Sequence, residues 1–195
     1  KELEVLLEKS GLGEYRMYYP YPERWFPMSM YSDHWLPGAG ELNQNLRNFE
    51  GERLVLFDEE KVYDQIIADG RFPEFSNTFL IVAGPERSDL PVYVKYSNDR
   101  AKEFMIRTDI LKTEDGCQVR KVPVSQEAKA HVTAMKHWEE VLGTQYAAAC
   151  VKVNRCELKE DAAYFEFLSG HTLEERLDDL RAQKEYGKLA EALQE

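Results

Sequence analysis

The sequence predicts an α+β chain: a five-stranded antiparallel sheet with one crossing helix, preceded by a partial α/β end that carries a β-hairpin. Three observations lead there. Short runs rich in β-branched and aromatic residues recur between Val92 and Leu168, separated by turn formers, which is strand patterning. One stretch among them, Gln126 to Leu142, changes to helical spacing, with Ala128, Val132, Met135 and Leu142 on one stripe. Upstream, a leucine-rich helical stretch precedes two strand-like runs separated by a long aromatic excursion.

In chain order, ELEVLLEKSG reads as an amphipathic helix that ends at Gly11 or Gly13, and Glu14 to Tyr21 as a strand. The excursion that follows carries Tyr18, Tyr19, Tyr21, Trp25, Phe26, Tyr31 and Trp35 among four prolines; such rings pack as a satellite core or offer faces and hydroxyls to a sugar. Asp33 and His34 form a candidate acid/base pair there. Gly40 to Gly70 reads as a polar connector, a short strand Arg53 to Phe57, and a helix capped by Asp58 with Val62, Ile66 and Ile67 on its buried side. Ser76 to Ala83 gives a second strand. Gly84 to Asp89 is the best boundary, dividing the chain into residues 1–86 and 90–195.

Beyond it, Val92 to Ser97 and Phe104 to Leu111 read as strands joined by a polar turn, and Thr113 to Gly116 as a hairpin turn leading to Cys117 to Val122. Pro123 lacks an N–H and stops the ladder, and Ser125 caps the helix that Gly143 ends. Ala147 to Cys156 and Ala162 to Leu168 complete the five strands. Thr172 with Glu175 forms a capping box at the start of a charged helix.

Composition narrows the function classes. With 195 residues, 43% of them hydrophobic, the chain has material for one or two packed cores. A net charge of −11 without a Lys/Arg cluster excludes a broad nucleic-acid surface. There is no apolar run near the ~20 residues of a membrane span and no signal-peptide pattern. Three cysteines, Cys117, Cys150 and Cys156, lack CxxC or His spacing, so reduced thiols in the cytoplasm and no metal site are expected. The chain opens and closes inside amphipathic helices, which reads as a segment of a longer polypeptide.

Strand, strand, strand ending in Val119-Arg120-Lys121, helix, strand, and strand ending in FEFLSGHTLEERL resembles the nucleotide-binding lobe of the protein-kinase-like superfamily, nearer the aminoglycoside, choline and lipopolysaccharide kinases. The likeness spans residues 90–180. It implies that Lys121 meets the α- and β-phosphates, that a helix glutamate, Glu127 in preference to Glu139, pairs with it, and that Glu166, Phe167 and Leu168 form the adenine-gripping hinge. ATP with magnesium is the implied cofactor, completed by a second lobe. The turn Ser97 to Lys102 holds no glycine, and no catalytic-loop Asp or Asp-Phe-Gly motif occurs up to Glu195, so no catalytic residue is assigned and the segment by itself is expected to be inactive.

The first 85 residues resemble the C-terminal end of a class I S-adenosylmethionine-dependent methyltransferase, whose cofactor loop would precede Lys1; the cofactor belongs to the parent protein and no residue here is assigned to it. The combination resembles bacterial methyltransferase–kinase proteins that modify surface polysaccharides. It implies a glycan or glycolipid acceptor, and the exposed hairpin edges imply a homodimer. Three readings stay open: the junction of a methyltransferase and an active kinase, a nucleotide-free kinase-shaped module that binds a glycan or partner protein, and a structural appendage in which Lys121 is a surface residue.

Overall fold

A computed structural model describes residues 2–12, 14–42, 59–85, 89–147, 152–170 and 172–193. Helix α1 (Glu2–Lys9) leads to strand β1 (Tyr15–Tyr21), and the short β2 (Ser29–Ser32) returns beside it. Helix α2 (Glu59–Ala68), a 3-10 turn over Phe72–Phe75 and β3 (Leu80–Ala83) complete the first part, with β3 on the other side of β1. Strands β4 (Pro91–Tyr96), β5 (Ile106–Thr113) and β6 (Gly116–Pro123) form a meander. Helix α3 (Lys129–Gln145) then crosses to the hairpin of β7 (Cys156–Lys159) and β8 (Ala162–Glu166), and helices α4 (Leu173–Ala182) and α5 (Tyr186–Ala192) follow, packed on each other.

The described strands make one eight-stranded antiparallel sheet in the order β3-β1-β2-β4-β5-β6-β8-β7. This corrects the expected five-stranded sheet. The five expected strands are the contiguous run β4 to β7, but β4 is not an edge. Its free row of N–H and C=O groups is taken up by β2, with Ser29 opposite Lys95 and Met30 opposite Val94. Side chains reinforce that seam: Ser32 Oγ donates to the Val92 carbonyl (2.6 Å), the Tyr18 hydroxyl to that of Pro91 (2.6 Å), Arg16 Nη1 to that of Leu90 (2.7 Å) and Asn98 Nδ2 to that of Pro27 (2.9 Å).

Several boundaries also shift. Helix α3 begins at Lys129, because Ser125 Oγ accepts the Ala128 N–H (3.1 Å) and caps the turn before it, and it runs through Gly143. Of the strand expected over Ala147–Cys156, residues 148–151 lie outside the described residues, Lys152 to Arg155 are outside any strand, and β7 begins at Cys156, where pairing with Phe165 sets the register. Val62 of α2 is exposed, and Tyr63 and Ile67 make the contacts to the core instead. The expected strand Arg53 to Phe57 and the cap Asp58 lie outside the described residues.

Residues directly opposite on antiparallel strands share a face. Tyr21, Ser29, Lys95, Thr108, Lys121 and Ala163 are successive register partners across the sheet, so they mark one inner face. Two cores lie on it. Met17, Tyr19, Tyr21, Tyr31, Leu42 and Phe72 form the first, against which Leu3 of α1, Tyr63 and Ile67 of α2 and Tyr93 of β4 pack. Ile106, Val132, Cys156 and Ala163 form the second, under α3. Burying side chains of this size contributes roughly 1.5–3 kcal/mol each, enough to fix register against a one-residue slip.

Candidate functional site

Between the two cores the inner face is less covered. Lys95 is exposed there, and Thr108 and Lys121 are half-buried. Neighbouring strands are about 4.8 Å apart, so Lys95 and Lys121 stand roughly 10 Å from each other with Thr108 between them. Arg100, exposed in the turn after β4, acts on Lys121 and on His131 of α3 through its charge.

Lys121 is on the face that α3 covers. Its Nζ lies 5.6 Å from the centroid of the Phe165 ring. Burial pushes its pKa below the ordinary lysine range, and the Arg100 charge pushes it further down. His131 lies on the same stripe of α3 as the buried Ala128 and Val132, with its ring edge-on to Phe104 at 5.3 Å. Burial first, then Arg100 and Lys121, hold its pKa below the usual histidine range. Each positive charge thus acts on the next, and among the described residues none of the ion pairs involves Lys121.

The structure brings neither helix glutamate to Lys121. Glu127 is exposed, and its carboxylate is stabilised by its own backbone N–H, by the Ser125 hydroxyl and by Lys102. Glu139 pairs with Lys136 at 2.5 Å. His131 is the α3 side chain that feels Lys121, and nothing in its sequence neighbourhood announced it.

The expected hinge is engaged within the chain. The Glu166 carboxylate meets Lys152 Nζ at 3.0 Å, and its carbonyl accepts from Asn154 Nδ2 at 2.9 Å. Phe167 packs edge-on against Trp35 (5.5 Å), which itself stacks on Tyr93 (6.2 Å). Leu168 is exposed. The aromatic excursion therefore reaches the strip from the side opposite α3.

Asp33 does not meet His34 in a hydrogen bond. Its carboxylate accepts the Tyr19 hydroxyl, and the His34 backbone N–H donates to Ser32 Oγ at 3.3 Å. Burial and Asp33 together raise the Tyr19 pKa, so this phenol stays protonated.

The outer face holds a different arrangement. Asp109, fully buried, accepts from Arg107 Nε (2.7 Å) and Nη2 (2.9 Å) and from Arg120 Nε (2.9 Å). Register partners Asp109 and Arg120 alternate with Thr108 and Lys121, so this cluster is separated from the basic strip by the thickness of the sheet.

Comparison with protein-family models, with curated proteins and with solved structures gives no match. No helix among the described residues is long and apolar enough to cross a membrane, and no group of three or more His, Cys, Asp or Glu among them is placed to hold a metal ion.

Proposed function

We propose that the inner-face strip binds a phosphate-bearing ligand as the nucleotide lobe of a kinase-like protein, and that the first segment is the C-terminal end of its methyltransferase partner. On the resemblance to methyltransferase–kinase proteins of bacterial surface-polysaccharide synthesis, the parent protein would work in the cytoplasm on a glycan or glycolipid, with ATP and S-adenosylmethionine. This chain contributes the phosphate contact and no catalytic acid. The observation that supports the reading is Lys121: a half-buried ammonium on the helix-covered face, beside Arg100 and His131, without a carboxylate partner among the described residues. A half-buried ammonium is relieved by an anion, and a phosphate offers several charged acceptor oxygens at once.

Titration calorimetry with ATP and magnesium on the wild type and on Lys121→Met tests this. Binding by the wild type and its loss in the variant, with an unchanged circular dichroism spectrum, are expected; equal binding by both would remove Lys121 from the site.

A second reading is favoured by a specific observation. The Glu166 carbonyl is already bonded to Asn154, and Phe167 is packed on Trp35, so the groups assigned to adenine have partners. In a kinase-shaped module that does not use nucleotide, the strip would take the anionic group of a glycan or glycolipid. Inorganic tripolyphosphate binding as tightly as ATP would favour this module, whereas a clear preference for ATP would restore the hinge.

A further inference from the structure

We propose that Trp35 is a wall of the site whose phosphate contact is Lys121, and that the ligand is a small molecule joining a phosphate to a ring. The ring lies against the corner of Trp35 and Phe167, and the phosphate reaches the ammonium. This rests on the phosphate reading above and adds to it a residue from the first portion of the chain and a class of ligand.

The inference starts from contacts. Phe165 and Phe167 are two residues, about 7 Å, apart where β8 ends, and they share the parity that faces inward. Lys121 Nζ lies 5.6 Å from the Phe165 ring, and the Trp35 ring lies edge-on 5.5 Å from that of Phe167. Ammonium and indole thus flank one short run of chain. The second contact of Trp35 is with Tyr93 of β4, 6.2 Å away with the ring planes 28° apart. Strands β4 and β8 are three places apart in the sheet, roughly 14 Å. A ring that touches both sides therefore spans β5 and β6, along the register row Tyr93, Ile110, Val119 and Phe165.

The indole is held in place by the chain itself. Trp35 N–H donates to the Ser32 carbonyl (2.9 Å) and Ser32 N–H to the Trp35 carbonyl (3.1 Å), which closes a tight turn at the end of β2. Beneath it, the Tyr93 hydroxyl lies 3.2 Å from Ser29 Oγ. A wall fixed in this way loses little freedom when a ring packs on it.

The floor beside this wall is apolar and open. Ile110 is buried, but Val119, in a central strand, is only half-buried, as are Phe165 and Trp35. Helix α3 covers the other side through Val132, packed on Ile106, Cys156 and Ala163. What remains is a strip of valine and ring surface with an ammonium at its margin, and none of the ion pairs among the described residues uses that ammonium. A bare anion would satisfy the charge and leave the apolar surface wet. A phosphate that carries a ring covers both. A nucleotide base and a sugar ring each offer such a face.

Replacing the exposed Trp25 and Trp138 with Phe leaves Trp35 as the single fluorophore of the 195-residue chain. ATP is titrated against inorganic tripolyphosphate, and glucose 1-phosphate against inorganic phosphate, with affinity from calorimetry and Trp35 emission recorded alongside. The ring-bearing member of one pair is expected to bind roughly tenfold more tightly than its inorganic partner, within the range that stacking on an aromatic side chain gives. It should also quench Trp35, which the inorganic anion leaves unchanged. In Trp35→Leu the advantage should shrink to within about twofold, while affinity for the inorganic anion, which reports an intact fold, is kept. A gain with ATP identifies a nucleotide as the source of the ring, and a gain with glucose 1-phosphate a sugar phosphate. Should Trp35→Leu lose the inorganic anion as well, the emission measurement decides by itself. No advantage in either pair, an advantage that Trp35→Leu retains, or unchanged emission at saturation overturns the role of Trp35 while the phosphate contact stands. Absence of binding by all four ligands overturns the underlying phosphate reading instead.

Discussion

Replacing Asp109 with asparagine should lower the stability of the fold by about 3 kcal/mol, the result of removing the fully buried charge from a cluster of three. The carboxylate has no exposed surface and accepts three hydrogen bonds from two guanidinium groups, at 2.7 to 2.9 Å. Hydrogen bonds to charged groups are worth roughly 1.5–3 kcal/mol each, and removing one partner of a buried ion pair typically costs 3–5 kcal/mol. Two features bring the value to the lower end. The Arg107 and Arg120 side chains keep 36% and 17% of their surface exposed, so both recover some hydration, and asparagine preserves the shape and one acceptor. Urea denaturation checks it. With an m-value of about 2 kcal/mol/M, the midpoint should fall by roughly 1.5 M with the slope unchanged. A loss below about 1 kcal/mol would refute the reasoning, since it would mean that the two arginines are solvated well enough not to need the carboxylate. Sulfate or ATP binding should survive the substitution, because Asp109 is on the outer face.

Three further outcomes follow from other elements. Lys121→Met should raise stability at pH 7 by about 0.5–1 kcal/mol while abolishing phosphate binding, because it removes a half-buried charge that has no carboxylate partner among the described residues; the folded-state pKa of Lys121 is depressed, so wild-type stability should rise with pH from that depressed value towards 10.5, and the variant should lack the rise in urea titrations. The depressed pKa of His131 gives the same sign at lower pH: unliganded wild type should lose stability as pH falls from 6.5 through the folded-state value, and His131→Gln should lose less over that window. Thr172→Ala removes the capping box in which Thr172 N–H donates to Glu175 (2.6 Å) and Glu175 N–H to Thr172 (3.2 Å), so amide exchange in α4 and α5 should accelerate by about 1 kcal/mol in protection, with the strand amides unchanged.

Strands β4, β5, β6 and β8 were legible because each is long enough to show its alternation, and α3 because that segment alone changes to helical spacing. The capping box at Thr172 was also readable, since its chemistry is local. Strand β2 was not. Ser29 to Ser32 is four residues between prolines, too short for a period-two signal, yet it joins β1 and β3 to β4 and so turns five strands into eight. Lys152 to Arg155 misled because composition was taken for register, whereas Cys156 is where pairing with β8 begins. At the site, Lys121 was singled out only by the resemblance to a kinase-like lobe, and its register beside Thr108 and Ala163 puts it on the helix side. Its surroundings were not legible: Glu127 turns back onto the backbone of its own first turn, while Arg100 and His131 are single residues on different elements, which only folding brings together.

The seam between β2 and β4 has a consequence for chain continuity. Because main-chain pairing there is backed by bonds from Ser32, Tyr18, Arg16 and Asn98, the peptide link through Gly84 to Asp89 is not what keeps the two portions together. A nick in that link should leave a non-covalent complex, and polypeptides ending and starting there should reassemble when produced side by side, each supplying the neighbour that the other's strand lacks.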